Sequence, residues 1–428
     1  MKNTMLDIKF IRENKDIVQA GAAKKHVSIN IDDLLTIDTK RRELVSSIET
    51  KKTAQNQAGE KITQTTDQAE RTKLIEDMKV LKADMQKDED ALKEVMKDWQ
   101  TLMLQVPNVP DMSVPEGESD AQNQEVRTWG TIPAFSFDIK NHIALLEEAD
   151  ALDLERGIKV AGFRGYVLKN DGALLQFALM QFAMEHFSTK GLSPMLVPSL
   201  VKRETLLGTG YLPQGEDDLY KTQDGDYLAG TGEVAAMSFY SDENLSKEQL
   251  PIKMLAVSPC FRREAGSHSK DVKGLIRVHE FYKLEQLILC EANHETSVAF
   301  HEELTKNSEE FLQALGIPYH VVVNCGGDLG LGQVKKYDIE AWVPSENAYR
   351  ETHSSSYFHD FQTRRLNIRY RDEEGKLKFA HSLNNTAVAF PRILVPLVEN
   401  NQQADGTIKI PEVLQKYFGG RTVIGKRN

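Results

Sequence analysis

An α+β fold in two parts is what the sequence predicts: a long helical hairpin, then a body built on an antiparallel β-sheet flanked by helices. Three observations carry it. Between Asp32 and Leu104 there is no proline and a single glycine, Gly59, and apolar residues recur at alternating steps of four and three. A proline-bounded break, Val106-Pro107-Asn108-Val109-Pro110-Asp111, ends that stretch. Beyond it helical patterns alternate with short β-type runs. Two of these, 252–261 and 277–290, are joined by a loop without a crossover helix, which favours antiparallel pairing.

Residues 1–30 come first, as a short helical unit in which Leu6, Phe10, Ile11 and Val18 lie near helical spacing and Gly21 follows. The next element, about 32–104, divides in two. Its second half carries Leu74, Met78, Leu81, Met85, Leu92, Val95, Trp99 and Leu102 as a heptad seam, interrupted once by Asp88. The first half is weaker: Leu34, Ile37, Leu44, Ile48, Gln55, Ala58 and Ile62, with Arg41 also on the seam. Between them Thr63 to Gln68 has poor helix propensity, and Asp67 can cap the second helix. Periodicity alone fits an intermolecular coiled coil as well; two seams about one turn favour an antiparallel hairpin. The expected divisions are a helical arm over 1–106, a Ser-, Pro- and Gly-rich linker over 107–125 and a larger domain over 126–428, with helical patterns at 141–154, 172–190 and 294–315 and β-type runs at 195–201, 252–261, 277–290, 319–325 and 337–343.

The chain has 428 residues, 40% of them apolar, enough for two or three domains with a real core. Its net charge of −11 gives no global field for nucleic acid or an anionic membrane, so such a partner needs a local basic patch. Residues 38–66 offer a local excess of base. Cys260, Cys290 and Cys325 are widely spaced, which speaks against a disulfide framework or zinc and for buried small hydrophobes. No run reaches the roughly 18 apolar residues of a membrane span. The N-terminus lacks a clean apolar region, so the cytoplasm is the expected compartment.

Chemistry concentrates in SPCFRREAGSHSKDVKGLIRVHEFYKLEQL, residues 258–287. On an extended chain Arg262 and Glu264 share a face with Arg263 opposite, a guanidinium and a carboxylate able to hold a phosphate and a base. The loop at 265–276 is basic, with His268, Lys270 and Lys273, and suits a cover over polyphosphate. The return strand would place Arg277, His279, Phe281, Lys283 and Glu285 on one face. Surface ion pairing is the plainer reading, and four ionisable groups between two apolar runs count against it. His279 alone reads as a hydrogen-bonded spectator. The run Gly326 to Gly332 lacks the Lys-Ser/Thr of a P-loop and reads as a turn.

FRREAGS followed by RVHEF resembles motif 2 of the class II aminoacyl-tRNA synthetases. With MLDIKFIREN, GTGYLP (208–213), TGE (231–233), DFQTRRLNIRYR (360–371) and HSLNNTAVAFPRILVPLVEN (381–400), nearly the whole chain resembles the seryl-tRNA synthetases within that class. The resemblance implies an ATP- and Mg²⁺-dependent ligase that makes seryl-adenylate and passes the acyl group to tRNA(Ser), with tRNA(Sec) an open second. Arg262 and Arg392 would be the catalytic cations, on the α- and γ-phosphates. Arg263, Glu264, Val278, Thr352 and His353 would complete the ATP site, with Glu264 reading the adenine amino group. Glu351 and Ser354 would ligate Mg²⁺. Thr231, Gly232, Glu233, Arg262, Glu285, Asn384 and Thr386 would hold serine, its amino group at Thr231 and Glu233 and its hydroxyl at Glu285 and Thr386. The family works as a homodimer with a helix and strand around Pro198 in the interface. Its arm grips tRNA by backbone and shape, which nominates Lys40, Arg41, Lys51 and Lys52 as phosphate contacts, each with a solvated face as the equal alternative.

Several positions depart from the common family pattern: His353 and Tyr357, then Asn385, Ala387 and Pro391 where glycines are usual, and Gly232, which replaces a small side chain and is expected to loosen its loop. Ala387 needs a negative φ. None of these changes removes a charged group. Two other functions stay in view, a non-catalytic tRNA-binding paralogue and a ligase loading an amino acid onto a carrier protein. The retained Arg262, Glu264, Glu351 and Arg392 speak against the first and the arm against the second.

Overall fold

The computed structural model describes residues 6–266 and 271–425. They form two compact units, one over Met5–Val109 and one from Pro110 onward. His268 and Lys270, named above for the basic loop, lie outside the described residues.

The first unit is the expected hairpin. Two short helices, Ile8–Glu13 and Lys15–Lys24, precede α1 (Ile31–Gln64) and α2 (Gln68–Gln105), which pack antiparallel. At 1.5 Å per residue each long helix spans about 50–57 Å. The caps follow the sequence: Asn30 accepts from the Asp32 amide and Asp67 from the Glu70 amide. The polar residues on the seams find partners beside them. Asp88 accepts from Ser47 Oγ at 2.6 Å and from Lys51 Nζ at 2.7 Å. Arg41 bonds Asp38 at 2.8 Å and lies over the Trp99 ring. Near the ends joined to the short helices, Ile11, Val18, Ile31, Leu34, Trp99 and Met103 make a separate apolar cluster.

The second unit is built on an eight-stranded sheet. Its strands are β1 (Gln124–Trp129), β2 (Ser193–Leu196), β3 (Ile252–Phe261), β4 (Glu280–Cys290), β5 (Tyr319–Val323), β6 (Lys335–Val343), β7 (Ala348–His359) and β8 (His381–Phe390), in the order β1-β5-β6-β7-β8-β4-β3-β2. All pairs are antiparallel except the edge, where β2 runs parallel to β3. The sheet is therefore antiparallel-dominated, not wholly antiparallel. β4 begins at Glu280, three residues later than the sequence pattern suggested. The segment from Pro110, within the expected linker, packs on this unit: Asp111 N donates to Val334 O at 2.9 Å and Tyr357 Oη donates to Asp111 at 3.0 Å. Tyr357, one of the family departures, is thus a buried anchor.

Helices α3 (Asn170–Thr189) and α5 (His294–Leu315) help cover one face, where Leu179, Phe187, Phe311, Leu312, Ile339 and Val388 join one core. Asn293 caps α5 by accepting from Thr296 N, and Gly316 ends it at φ 69, a left-handed position that suits glycine. All three cysteines are buried and free.

This face also holds His301 and His353, both buried, with pKa values pushed down by burial from 6.5 to about 4. Unfolded, each imidazole takes its proton near pH 6.5; folded, only near about 4. Their stabilising contribution is whole above pH 6.5 and is lost as pH falls toward about 4. Between about pH 7.5 and 5.5 that loss amounts to roughly 1 kcal/mol each. The drop in unfolding midpoint across that interval is expected to be smaller in His301→Gln than in the unaltered chain, and equal drops would contradict it.

Candidate functional site

The opposite face of the sheet carries a polar cleft, and two β-bulges decide which side chains enter it. In regular strands residues three apart face opposite ways. Between β6 and β7, Glu340 pairs with Glu351 but Ile339 with His353, so Thr352 is an extra residue. Glu351 and Ser354 are thereby brought to the same face, opposite Glu340 and Asp338. Between β4 and β8, Leu284 pairs with Val388 but Glu285 with Thr386, so Ala387 is the extra residue. Glu285 and Thr386 then sit side by side. Ala387 is absent from the residues of positive φ, as expected for a residue with a side chain.

A cleft runs along this face, lined among others by Arg262, Glu264, Arg277, Phe281, Glu351 and Arg392. Val278, Thr352 and Thr386 line it too. Arg262 is fixed where β3 ends: its amide donates to His279 O at 2.9 Å, its Nε to Gly230 O at 3.1 Å, and its guanidinium lies over Phe281. Arg392 precedes the short helix α6 (Leu394–Asn400) and points back into the cleft, its Nε donating to Ile276 O at 3.0 Å and its Nη1 to Glu351 O at 3.2 Å. The two distant arginines therefore share one cavity. Ile276 is itself held in place. Glu399 Oε1 accepts from His142 Nδ1 at 3.0 Å, and His142 Nε2 accepts from Leu275 N at 3.3 Å. Gly274, at φ 99, lets that ring approach, since a Cβ there would lie 2.5 Å from it.

Charge in the cleft is arranged around Glu351. Desolvation in the cleft pushes its pKa up, but Arg392, then Lys336, Arg262 and Arg277, outweigh that and hold it below the usual range. Glu264, with φ 54, pairs with Arg277 Nη1 at 2.5 Å. Asp271 extends that pair to Arg350.

Beyond Arg262 lies a smaller acidic recess. Thr231 caps α4 (Gly232–Ser238) and its hydroxyl donates to Glu285 at 3.2 Å. Glu285 also contacts the Lys283 ammonium. Glu233 accepts from Tyr211 Oη at 2.8 Å and Gln362 Nε2 at 2.6 Å; burial, then the charge of Glu285, raises its pKa. Two carboxylates in one pocket with a single lysine leave room for an incoming cation, such as an ammonium group. Gly232 does not loosen its loop: a Cβ would meet Ser258 Oγ at 3.0 Å, so glycine permits close packing on β3.

The helical face takes other nominated residues. His353 lies toward Phe311, not in the cleft, with its Nδ1 2.8 Å from Thr352 Oγ1. Asn385 turns to α5, accepting from Ser308 Oγ at 2.6 Å and Gln286 at 2.7 Å. Asn384 faces the other way, with Thr386, as strand alternation requires. Arg263 is exposed and does not line the cleft; its amide bonds Asp218 O. His279 precedes β4 and joins Phe163 and Tyr220 around a neighbouring recess. Pro391 and Arg392 form the turn before α6, so Arg392 contributes its charge and not a place on the helix.

Family models match at both ends of this architecture: the seryl-tRNA synthetase N-terminal domain over residues 5–110, and the class II tRNA synthetase core domain (G, H, P, S and T) over 219–401. A serine–tRNA ligase of Deinococcus radiodurans is 46% identical across 99% of this chain and 99% of its own length. The chain belongs to the seryl-tRNA synthetases. A seryl-tRNA synthetase from Pyrococcus horikoshii, solved with ATP, superposes at TM-score 0.91 with 34% identity, covering 99% of this chain and 100% of its own. A cytoplasmic serine–tRNA ligase from Naegleria fowleri, solved with AMP, gives 0.87 and 31%, covering 100% of both chains.

Several residues of the site in this seryl-tRNA synthetase carry no signal of their role in the sequence. Phe281 and Lys283 lie on the strand face the pattern predicts, whereas Arg277 precedes β4, and the pattern gives none of the three a role. Tyr211 and Gln362, which hold Glu233, sit within the GTGYLP and DFQ segments and had no partner assigned. Lys336, which helps set the charge of Glu351, carried no signal beyond its alternation along β6.

Proposed function

We propose that this chain activates L-serine with ATP as seryl-adenylate and transfers the acyl group to the 3′ end of tRNA(Ser), with tRNA(Sec) the second RNA to test. The observation that supports it best is the convergence of Arg262 and Arg392 on one cleft that opens toward the Thr231–Glu233–Glu285–Thr386 recess. Arg262 meets the charge that builds on the α-phosphate as the serine carboxylate oxygen attacks phosphorus. Arg392 and Arg277 receive the departing pyrophosphate. Phe281 backs the Arg262 guanidinium, and Glu264 offers an acceptor for the adenine amino group once Arg277 turns to phosphate. Little proton transfer is needed, so fixed cations do most of the catalytic work. The ribose hydroxyl of tRNA then attacks the serine carbonyl and AMP leaves.

Glu233 and Thr231 suit the serine ammonium; Glu285 and Thr386 suit its hydroxyl. A site built to hydrogen-bond a hydroxyl rejects the analogue lacking it, by about 10⁴-fold where the pocket groups stay unpaired. Serine-dependent pyrophosphate exchange should therefore exceed alanine-dependent exchange by about that ratio in kcat/KM. In Thr386→Val the serine value should fall about 10-fold or more, the loss of one hydrogen bond in a buried site. Exchange that ignores both the amino acid offered and this substitution would overturn the reading.

Glu351 and Ser354 fit a Mg²⁺ ion: they are hard oxygen donors on one face, Glu351 is half-exposed beside the arginines, and its carboxylate is held ionised. Such an ion would neutralise polyphosphate charge. The ATP set is accordingly Arg262, Glu264, Val278, Glu351, Thr352, Ser354 and Arg392, without the side chains of Arg263 and His353. The homodimer reading gains support from Leu174, Phe177, Leu196 and Leu200, all exposed, on the helix and strands flanking Pro198. The hairpin of residues 1–106 would bind tRNA and the domain from 126 would catalyse. Among the described residues no helix is long and apolar enough to cross a membrane, which agrees with the cytoplasm as the working compartment.

A further inference from the structure

Asp338 stands out on the cleft face as a carboxylate with half of its bonding used. It is 5% exposed. Its Oδ2 accepts from Asn324 Nδ2 at 2.7 Å and lies 3.0 Å from Lys336 Nζ, while its Oδ1 has no hydrogen-bond partner among the described residues. A buried carboxylate oxygen left bare costs free energy comparable to a lost charged hydrogen bond, so natural structures rarely keep one without use. The use is legible from position. Asp338 pairs across β6 and β7 with Ser354, which puts both side chains on one face at neighbouring sites. It lines, together with Glu351, Arg277 and Arg392, an open pocket that shares those three residues with the nucleotide cleft. Glu340, the other acid that β6 sets on this face, is taken up by His320 Nε2 at 2.6 Å. The Lys336 ammonium occupies the Oδ2 side of Asp338, so that lysine leaves the Oδ1 side unneutralised.

We propose that Asp338 anchors the divalent cation of Glu351 and Ser354 by accepting, at Oδ1, a hydrogen bond from a water in the ion's coordination shell. This rests on the reading of Glu351 and Ser354 as metal ligands. Mg²⁺ gives up its waters reluctantly and keeps several even when bound to protein carboxylates, so an acceptor one water away is the contact it can use. Asp338 is then a positioning residue: it orients the ion's water and adds charge behind it, without touching the phosphates.

The test is ATP binding measured by calorimetry in the absence of serine, with and without Mn²⁺. The quantity read is the factor by which the metal tightens ATP. In Asp338→Asn that factor is expected to fall about 10–100-fold, the usual effect of removing a carboxylate behind a metal ligand, while metal-free serine affinity stays near that of the unaltered chain. Glu351→Gln should abolish the factor. If Glu351→Gln abolishes it and Asp338→Asn leaves it whole, the Asp338 proposal fails alone. If both variants keep it, the metal reading of Glu351 and Ser354 fails as well. Should Asp338→Asn not fold, crystals of the unaltered chain with ATP and Mn²⁺ decide: an anomalous peak within about 5 Å of Asp338 Oδ1 supports the one-water contact, and a peak farther away overturns it.

Discussion

Arg262→Ala is expected to lower kcat for serine-dependent pyrophosphate exchange by about 10³-fold, the scale of removing one fixed donor from a transition-state anion site. That guanidinium is firmly held. Its backbone closes the end of β3 through the His279 carbonyl, its Nε is spent on Gly230 O, and Phe281 supports its plane. The remaining N–H groups are left to face the cleft, already oriented, so no reorganisation is needed as charge develops on phosphorus. Arg262→Lys should recover little: a lysine cannot bond Gly230 O and the phosphate with one rigid fork. Arg392→Ala should act differently. That side chain bonds Ile276 O and Glu351, and neither partner belongs to the serine recess. Its loss should raise KM for ATP more than that for serine. Rapid-quench measurement of adenylate formation separates the two. An Arg262→Ala chain that forms adenylate at the rate of the unaltered one would remove the basis of the site.

Much of this architecture was legible because it rests on spacing. The heptad seams imposed the hairpin, and even their polar interruptions made sense once paired: Asp88 with Ser47 and Lys51, Arg41 with Asp38 and Trp99. The β3–β4 pairing followed from two apolar runs and a loop. What spacing does not reveal is where a strand slips by one residue. Alternation alone would send Glu351 and Ser354 to opposite faces, and only the extra residue at Thr352 unites them. The same holds for Ala387, which sets Glu285 against Thr386. β7 itself is hard to see, since its Thr-His-Ser-Ser-Ser run is polar yet buried, satisfied by partners such as Thr305 on α5 that lie far away in sequence. The parallel edge strand β2 is likewise set by tertiary packing. The charges were thus readable, and the geometry that gathers them was not.

Shortening the hairpin should separate the two half-reactions. Removing 45–90 and joining the stumps by a short polar turn cuts both helices at one level, since Ser47 meets Asp88 and Lys51 meets Asp84. The cut spares Trp99, Met103, Ile31 and Leu34, and with them the apolar cluster at the base. A deletion running to 103 would take two of those four residues and confuse a folding defect with a binding one. Pyrophosphate exchange should stay within about twofold, because every residue assigned to ATP and serine lies in the second unit, which has a core of its own. Charging of tRNA(Ser) should fall by about 100-fold or more in kcat/KM, equivalent to roughly 3 kcal/mol of lost binding. The nominated cations divide by how they are used. Lys51 is bound between Asp84 and Asp88, and these raise its pKa; Arg41 is held by Asp38 and Trp99. Lys51→Ala should therefore lower the melting temperature of the hairpin with little change in the salt dependence of tRNA binding. Lys40 is exposed on α1 with no ion-pair partner among the described residues, so Lys40→Ala should leave melting alone and reduce the slope of log affinity against log salt by about one. Loss of exchange in the shortened chain, or undiminished charging, would show that the hairpin is a structural appendage of the catalytic body and not its grip on RNA.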